Sequence, residues 1–145
     1  MIVKYKKIIK NEEILKILKM FDSIFNPNLS LEIKDMKEYS IKLENYSEFY
    51  IFFNEEKIVG FMCFYLNSKT KISYLSLIAI VPKNQNRKIG RELINLYEKI
   101  SREKEMNVLK LEVFSSNKKA IQFYKNVGFT ITEIKKEKII MTKVI

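Results

Sequence analysis

Apolar residues recur along the chain at helical spacing in four segments. The first pattern covers residues 11–25, with Asn11 in position to cap a helix. Asn26-Pro27-Asn28 interrupts it, and Ser30 is in position to cap a second helix. Two further helical patterns cover residues 89–100 and 117–127. The last of these ends at Gly128, where a left-handed residue commonly terminates a helix.

Strand-like runs separate these helices. They cover residues 2–9, 49–53, 58–66, 72–81, 108–114, 129–134 and 139–144. The run at 72–81 is the most hydrophobic, as expected of a central strand. The predicted order is β-α-α-β-β-β-α-β-α-β-β, which mixes an antiparallel meander with right-handed crossovers. We therefore expect one α/β (α+β) domain over residues 1–145, with a central, mixed, mostly antiparallel sheet of about seven strands flanked by four helices.

The chemistry open to this chain is limited by two residue counts. Histidine is absent and Cys63 is the single cysteine. These counts exclude a Ser-His-Asp triad, a Cys-His pair, a His-ligated zinc and a zinc–thiolate cluster, so no metal is expected. Acid–base chemistry must use carboxylates, tyrosine, lysine or water. One cysteine cannot form an intrachain disulfide, which favours a reducing compartment and a cytoplasmic location.

The formal net charge of +10 has three readings. It suits a nucleic-acid-binding surface, attraction of a polyanionic small molecule, or a solvated lysine-rich surface. The lysines are spread along the whole chain instead of forming one block, which favours the third reading. Residues 1–10 lack a continuous apolar run, and no segment approaches the ~20 apolar residues of a membrane helix, so neither a signal peptide nor a membrane partner is predicted.

Residues 82–91 have the properties of an anion-binding loop. A buried strand ends at Pro82, a polar segment follows, and a helix begins near Gly90. Unpaired backbone N–H groups and the helix dipole at such a terminus favour a phosphate. Gly90 allows close approach of the backbone, and Arg87, Lys88 and Arg91 add positive charge. A basic helix start that binds nothing is the alternative.

Both halves of residues 75–129 resemble the GCN5-related N-acetyltransferase (GNAT) superfamily. The segment from Gln85 to Gly90 is similar to its Q/R-x-x-G-x-G/A pyrophosphate loop. The segment from Asn117 to Phe129 is similar to its N-x-x-A-x-x-x-Y-x-x-x-G-F signature. The second motif is the more specific of the two, and the element order fits the family over the whole chain. The departure from the pattern is Lys88, where the family usually has glycine.

The resemblance implies an acetyl-CoA-dependent acetyltransferase with a GNAT-like fold. Backbone amides of the loop would hold the diphosphate, and the end of the central strand would flank the pantetheine arm. Asn117 would contact that arm, and the Tyr124 hydroxyl would protonate the departing thiolate. The residues so implied in cofactor binding are Ile78, Ile80, Val81, Gln85, Asn86, Arg87, Lys88, Ile89, Gly90, Arg91, Asn117 and Tyr124.

The catalytic base is sought among the carboxylates. Some relatives have a glutamate on the strand before the loop, where this chain has Tyr74 and no acid at all. Other relatives, including bacterial enzymes that acetylate the amino terminus of a ribosomal protein, carry L-E-V on the next strand and a tyrosine twelve residues later. Leu111-Glu112-Val113 and Tyr124 match that arrangement. This predicts Glu112 as the base, directly or through water, with a structural or solvated role as the alternative. Tyr124 could instead be a core residue, and Asn117 could instead be a helix cap.

The acceptor amine remains open between a small molecule and a protein amino terminus. Asp22, Glu32 and Asp35 could attract a cation, although an exposed face explains them equally well. Two other functions stay open: an acyl-CoA-binding module that lost catalysis, and a basic nucleic-acid-binding domain. No recognised nucleic-acid signature is present, so nucleic acid is the disfavoured partner. The sequence leaves a homodimer open.

Overall fold

The structure is a computed structural model that describes residues 4–85 and 88–145. Seven strands and five α-helices form within these residues. Short 3-10 turns follow α1 and β4, at Asp22–Ile24 and Pro82–Asn84. In chain order the elements are β1 (Lys4–Lys7), α1 (Asn11–Phe21), α2 (Leu29–Glu32), α3 (Met36–Tyr46), β2 (Glu48–Asn54), β3 (Lys57–Asn67), β4 (Ile72–Ile80), α4 (Ile89–Glu103), β5 (Val108–Phe114), α5 (Lys118–Asn126), β6 (Thr130–Ile134) and β7 (Lys138–Val144).

The seven strands form a mixed sheet in the order β1-β2-β3-β4-β5-β7-β6. Strands β4 and β5 are parallel, whereas β1–β2, β2–β3, β5–β7 and β6–β7 are antiparallel. The predicted fold class is confirmed, as is the predicted succession of strands along the chain. The helix count differs, because the segment between α1 and α3 contains the additional one-turn helix α2.

The second predicted helix begins later than the sequence suggested. Ser30 lies inside α2 and caps nothing; its backbone N–H and hydroxyl both donate to the Asp22 carboxylate, at 2.7 and 2.8 Å. Ile33 then takes an extended conformation that ends α2. Asp35 caps α3 instead, with its carboxylate accepting from the Glu38 N–H at 3.0 Å. Ser30 and Asp35 are both good capping residues, so the pattern alone could not choose between them.

Two compact units divide the chain. The first comprises the chain up to Phe64 together with Leu77–Glu92, and the second comprises Tyr65–Ser76 together with Leu93–Ile145. In the first unit the Phe61 ring stacks on Phe49 and meets Phe21 edge-on, both at 5.2 Å between centroids. Phe21 is thus a core residue. The Cys63 thiol is buried in the same unit, and burial raises its pKa to about 12.

In the second unit, β4 and α4 are tied together by buried polar contacts. The Tyr97 hydroxyl donates to the Ser73 carbonyl at 2.6 Å, and the Ser101 hydroxyl donates to that of Ser73 at 2.8 Å. Burial raises the pKa of Tyr97 well above its usual range. These contacts satisfy polar groups that would be costly to bury alone.

The end of α5 is closed by a glycine in the left-handed region. Gly128 has φ +102°, as the sequence predicted for this position. The Lys143 ammonium donates to the Val127 carbonyl at 3.0 Å and pairs with a Glu98 carboxylate oxygen at 2.7 Å. Lys143 thus links β7, the end of α5 and helix α4.

None of the helices in residues 4–85 and 88–145 combines the length and the apolarity that crossing a bilayer requires.

Candidate functional site

Strand β4 ends in residues predicted to flank a cofactor arm. Ile78 and Ile80 are half-buried on one face of the strand, and the buried Ala79 lies between them. Val81 follows the strand, is also half-buried, and donates its N–H to the Val59 carbonyl at 2.8 Å. These residues belong to the first unit. The face that carries Ile78 and Ile80 is therefore partly open to a ligand.

The segment after β4 is shaped by Gln85 and Lys88. The Gln85 side-chain amide donates to the Ile80 carbonyl at 3.0 Å, which ties the loop to the strand end. Asn86 and Arg87 lie outside the described residues. Lys88 has φ +62°, a conformation that glycine adopts more readily than any other residue. The lysine at this position of the loop thus has a backbone conformation for which glycine is the usual residue.

Helix α4 begins with amides that have no acceptor inside the helix, and with positive charge. The N–H of Glu92 is bonded to the Lys88 carbonyl at 3.2 Å, whereas the amides of Ile89 and Gly90 precede any acceptor within the helix. Ile89 and Gly90 are buried and Arg91 is exposed. Backbone donors at a helix start, with an exposed guanidinium beside them, form a donor set suited to a phosphate group. The residues present fit a diphosphate.

A cleft of about 520 Å³ lies next to this loop in the first unit. The β2–β3 turn and the segment from Val81 to Asn84 line it. Asn84 is 5% exposed, and its side-chain oxygen has no hydrogen-bond partner among the residues of the described ranges. A buried carbonyl oxygen requires a donor such as water. Val81, which is predicted to flank the cofactor arm, also lines this cleft.

Helix α5 begins at the second predicted motif. Asn117 is its N-cap, and its side-chain oxygen accepts from the Ala120 N–H at 3.1 Å. The structure therefore assigns the oxygen to capping. The side-chain amide of the exposed Asn117 remains able to donate.

Tyr124 lies on the buried side of α5. It is 9% exposed, and its ring meets those of Phe123 and Phe129 edge-on, at 5.3 and 5.7 Å. Burial raises the pKa of its hydroxyl to about 12. The phenol is therefore protonated at neutral pH, as a proton donor must be.

Glu112 lies on β5 between two lysines of the β6–β7 hairpin. One carboxylate oxygen is 3.8 Å from the Lys135 ammonium and the other is 3.5 Å from the Lys138 ammonium. The Glu112 side chain is 25% exposed. Tyr74 lies near it on β4, where burial and the Glu112 charge both raise the pKa of the tyrosine. The Glu112 carboxylate is thus partly accessible and lies near the uncharged phenol of Tyr74.

The structure places the predicted residues in two groups. The described residues from Ile78 to Arg91 belong to the first unit, and Glu112, Asn117 and Tyr124 belong to the second. Sequence reasoning missed two contacts, the bond from the Gln85 side chain to β4 and the lysine pair around Glu112. The K-K-E-K run at residues 135–138 was the available signal for the second.

Comparison with protein families gives one assignment. The model of the acetyltransferase (GNAT) family matches residues 13–129, which include both motifs. No curated protein matches the chain significantly in sequence.

Solved structures with the same fold include three acetyltransferases. The Escherichia coli ribosomal-protein-S18-alanine N-acetyltransferase has a TM-score of 0.82 and 18% identity, over 99% of this chain and 94% of that one. The PaiA N-acetyltransferase from Thermoplasma acidophilum, solved with coenzyme A, has a TM-score of 0.79 and 20% identity, over 100% of both chains. Nourseothricin acetyltransferase has a TM-score of 0.65 and 21% identity, over 68% of this chain and 65% of that one. The chain therefore spans just under two thirds of that last protein.

Proposed function

The chain belongs to the acetyltransferase (GNAT) family, and we propose that it transfers the acetyl group of acetyl-CoA directly to a primary amine. The single observation that carries the proposal is the start of α4 after Gln85, where the first amides have no acceptor inside the helix, Lys88 is left-handed and Arg91 is exposed. Residues 1–145 act as one N-acetyltransferase domain. Its location is the cytoplasm, the reducing compartment that a single buried thiol suits.

Coenzyme A is held by backbone groups more than by side chains in this proposal. Amides from Gln85 to Arg91 donate to the diphosphate, and Ile78, Ile80 and Val81 flank the pantetheine arm. The Asn117 side-chain amide donates to the same arm while its oxygen caps α5. Acetyl-CoA supplies the acyl group as an activated thioester.

Transfer requires two proton movements. The amine attacks while neutral, the new C–N bond replaces the C–S bond, and the nitrogen loses a proton as the thiolate leaves. Glu112 accepts that proton, directly or through water. Tyr124 donates its phenolic proton to the thiolate sulfur, and the phenol enters the reaction protonated because burial raises its pKa to about 12.

Calorimetry with coenzyme A at low ionic strength tests the proposal. Arg91→Gln should weaken binding about 10- to 150-fold, because a charge-assisted contact to phosphate is worth about 1.5–3 kcal/mol. Lys99→Gln is the matched control, an exposed cation on the same helix. Absence of binding by the unaltered protein would overturn the proposal.

Release of free thiol with a panel of amines separates the alternatives. Turnover with any amine supports the enzyme. Cofactor binding with no turnover on any amine would indicate an acyl-CoA-binding module without catalysis. Salt-sensitive binding of nucleic acid, with no affinity for acetyl-CoA, would indicate a nucleic-acid-binding domain.

A further inference from the structure

The sheet face that carries Glu112 is the partly open face of β5. Leu109, Leu111 and Val113 are buried on the opposite face, whereas Lys110, Glu112 and Phe114 are half-buried. In the antiparallel pairing with β7, Glu112 lies beside Ile140 and Phe114 beside Lys138. The side chains of one register position point to the same face, so Lys138 belongs to the Glu112 face.

Two cations adjoin the carboxylate on this face. Each Glu112 oxygen has one ammonium at 3.5 or 3.8 Å, from Lys138 and Lys135 respectively. The Lys138 ammonium also lies 5.1 Å from the centroid of the Phe114 ring. The distances from the two ammonium groups to Glu112 exceed the ~2.7–2.9 Å of a tight charge-assisted hydrogen bond. Either ammonium can therefore bind another anion at little cost. Lys110 is a third cation on the same face.

Two of the three acidic residues that could have attracted a polycation, Asp22 and Asp35, make structural hydrogen bonds. Both Asp22 oxygens accept from Ser30, and Asp35 caps α3. These bonds give the two aspartates structural roles.

We propose that the acceptor is an α-amine that carries carboxylate groups close to it, and that Lys135 and Lys138 bind those carboxylates. This inference rests on the proposed function. An amino acid and the amino terminus of an acidic peptide share this chemistry. A polyamine would bring further positive charge against two ammonium groups. The amino terminus of a peptide, of pKa about 7.7–8.0, is also roughly 30% neutral at pH 7.5, against about 0.1% for an alkylamine of pKa about 10.4.

The test compares four acceptors by thiol release. Two tetrapeptides begin with alanine and differ in the next two residues, aspartates in one and lysines in the other; free aspartate and spermidine complete the set. We expect kcat/KM for the acidic peptide to exceed that for the basic peptide at least about 10-fold. The ratio of acidic peptide to free aspartate distinguishes the two sources of the acceptor. Preference for spermidine or the basic peptide would overturn the inference.

Paired variants locate the recognition. Lys135→Gln with Lys138→Gln should reduce the preference for the acidic peptide to about 2-fold or less, since both proposed partners of its carboxylates are lost. Lys136→Gln is the control from the same turn and should keep the preference. Retention of the preference in the double variant would show that these lysines do not recognise the acceptor.

A binding measurement separates this inference from the proposed function. Calorimetry of the acidic peptide against the protein with coenzyme A should detect an association that the double variant weakens. If coenzyme A itself does not bind, the proposed function fails. If it binds while the acidic peptide binds no better than the basic one, the inference alone fails.

Discussion

Gly128 ends α5, and a side chain at this position would disturb the structure in two ways. Its φ of +102° lies in the region that L-residues avoid. A Cβ built there would lie 2.9 Å from Lys143 Cε and 3.1 Å from Lys143 Nζ. Gly128→Ala therefore strains the backbone and displaces the lysine that binds Val127 and Glu98.

The expected loss of stability follows from these two effects. Holding alanine at this φ costs about 1–3 kcal/mol. Lys143 can swing aside because the contact is with the end of a flexible chain, so only part of its hydrogen bonding to Val127 and Glu98 is lost, about 1 kcal/mol. We expect Gly128→Ala to lower the free energy of unfolding by about 2–4 kcal/mol.

Urea unfolding followed by far-ultraviolet circular dichroism measures this loss, since the chain has no tryptophan. The midpoint should fall without a change of slope. Lys125→Ala, at an exposed position one turn earlier, is the control and should change stability by less than about 0.5 kcal/mol.

A double-mutant cycle separates the two effects. In a Lys143→Ala background, Gly128→Ala should cost only the backbone strain, about 1 kcal/mol less than in the natural background. A loss below about 1 kcal/mol for Gly128→Ala alone would refute the reasoning, because it would mean that neither the strain nor the displacement of Lys143 is real.

Four further predictions concern the second unit. Tyr97→Phe removes the buried bond to the Ser73 carbonyl and should lower the free energy of unfolding by about 1–2 kcal/mol, so an unchanged urea midpoint would contradict it. Burial alone would raise the pKa of Glu98, but the hydrogen bonds and charges of Lys143 and Arg102 lower it by more than burial raises it. The pKa in the folded protein therefore lies below 4.5. The stability difference between the natural protein and Glu98→Gln should therefore be present at pH 7 and disappear as the pH falls through that lower pKa; a difference that persists in acid would be the opposing result. Tyr124→Phe should lower turnover about 10²–10⁴-fold with little change in coenzyme A affinity, and undiminished turnover would remove Tyr124 from the acid role. Glu112→Gln should alter the pH dependence of kcat/KM, whereas an identical profile would leave Glu112 as the partner of Lys135 and Lys138 alone.

Local patterns predicted most of the fold. Strand β5 was predicted with its observed bounds, because Lys110 and Glu112 alternate with the apolar Leu109, Leu111 and Val113. Asn117 and Gly128 predicted the two ends of α5. A capping side chain and a left-handed glycine can both be read from the residues next to a helix end.

Long-range choices were not predictable in the same way. The start of α3 depended on whether Ser30 or Asp35 acts as the cap, and the decision came from the bonds between Ser30 and Asp22, eight residues apart. The lysines around Glu112 lie more than twenty residues away from it. Their contact depends on the β5–β7 register and on an irregularity in the β6–β7 pairing, which no local pattern encodes.

The burial of Cys63 has a practical use. Only thiolates react readily with disulfide dyes, and a buried thiol with a pKa of about 12 supplies almost none near neutral pH. Such a dye, mixed with the native protein, would register thiol set free from coenzyme A with no background from the polypeptide. In denaturant the same dye would label each unfolded chain once, so this single thiol can report the number of unfolded molecules.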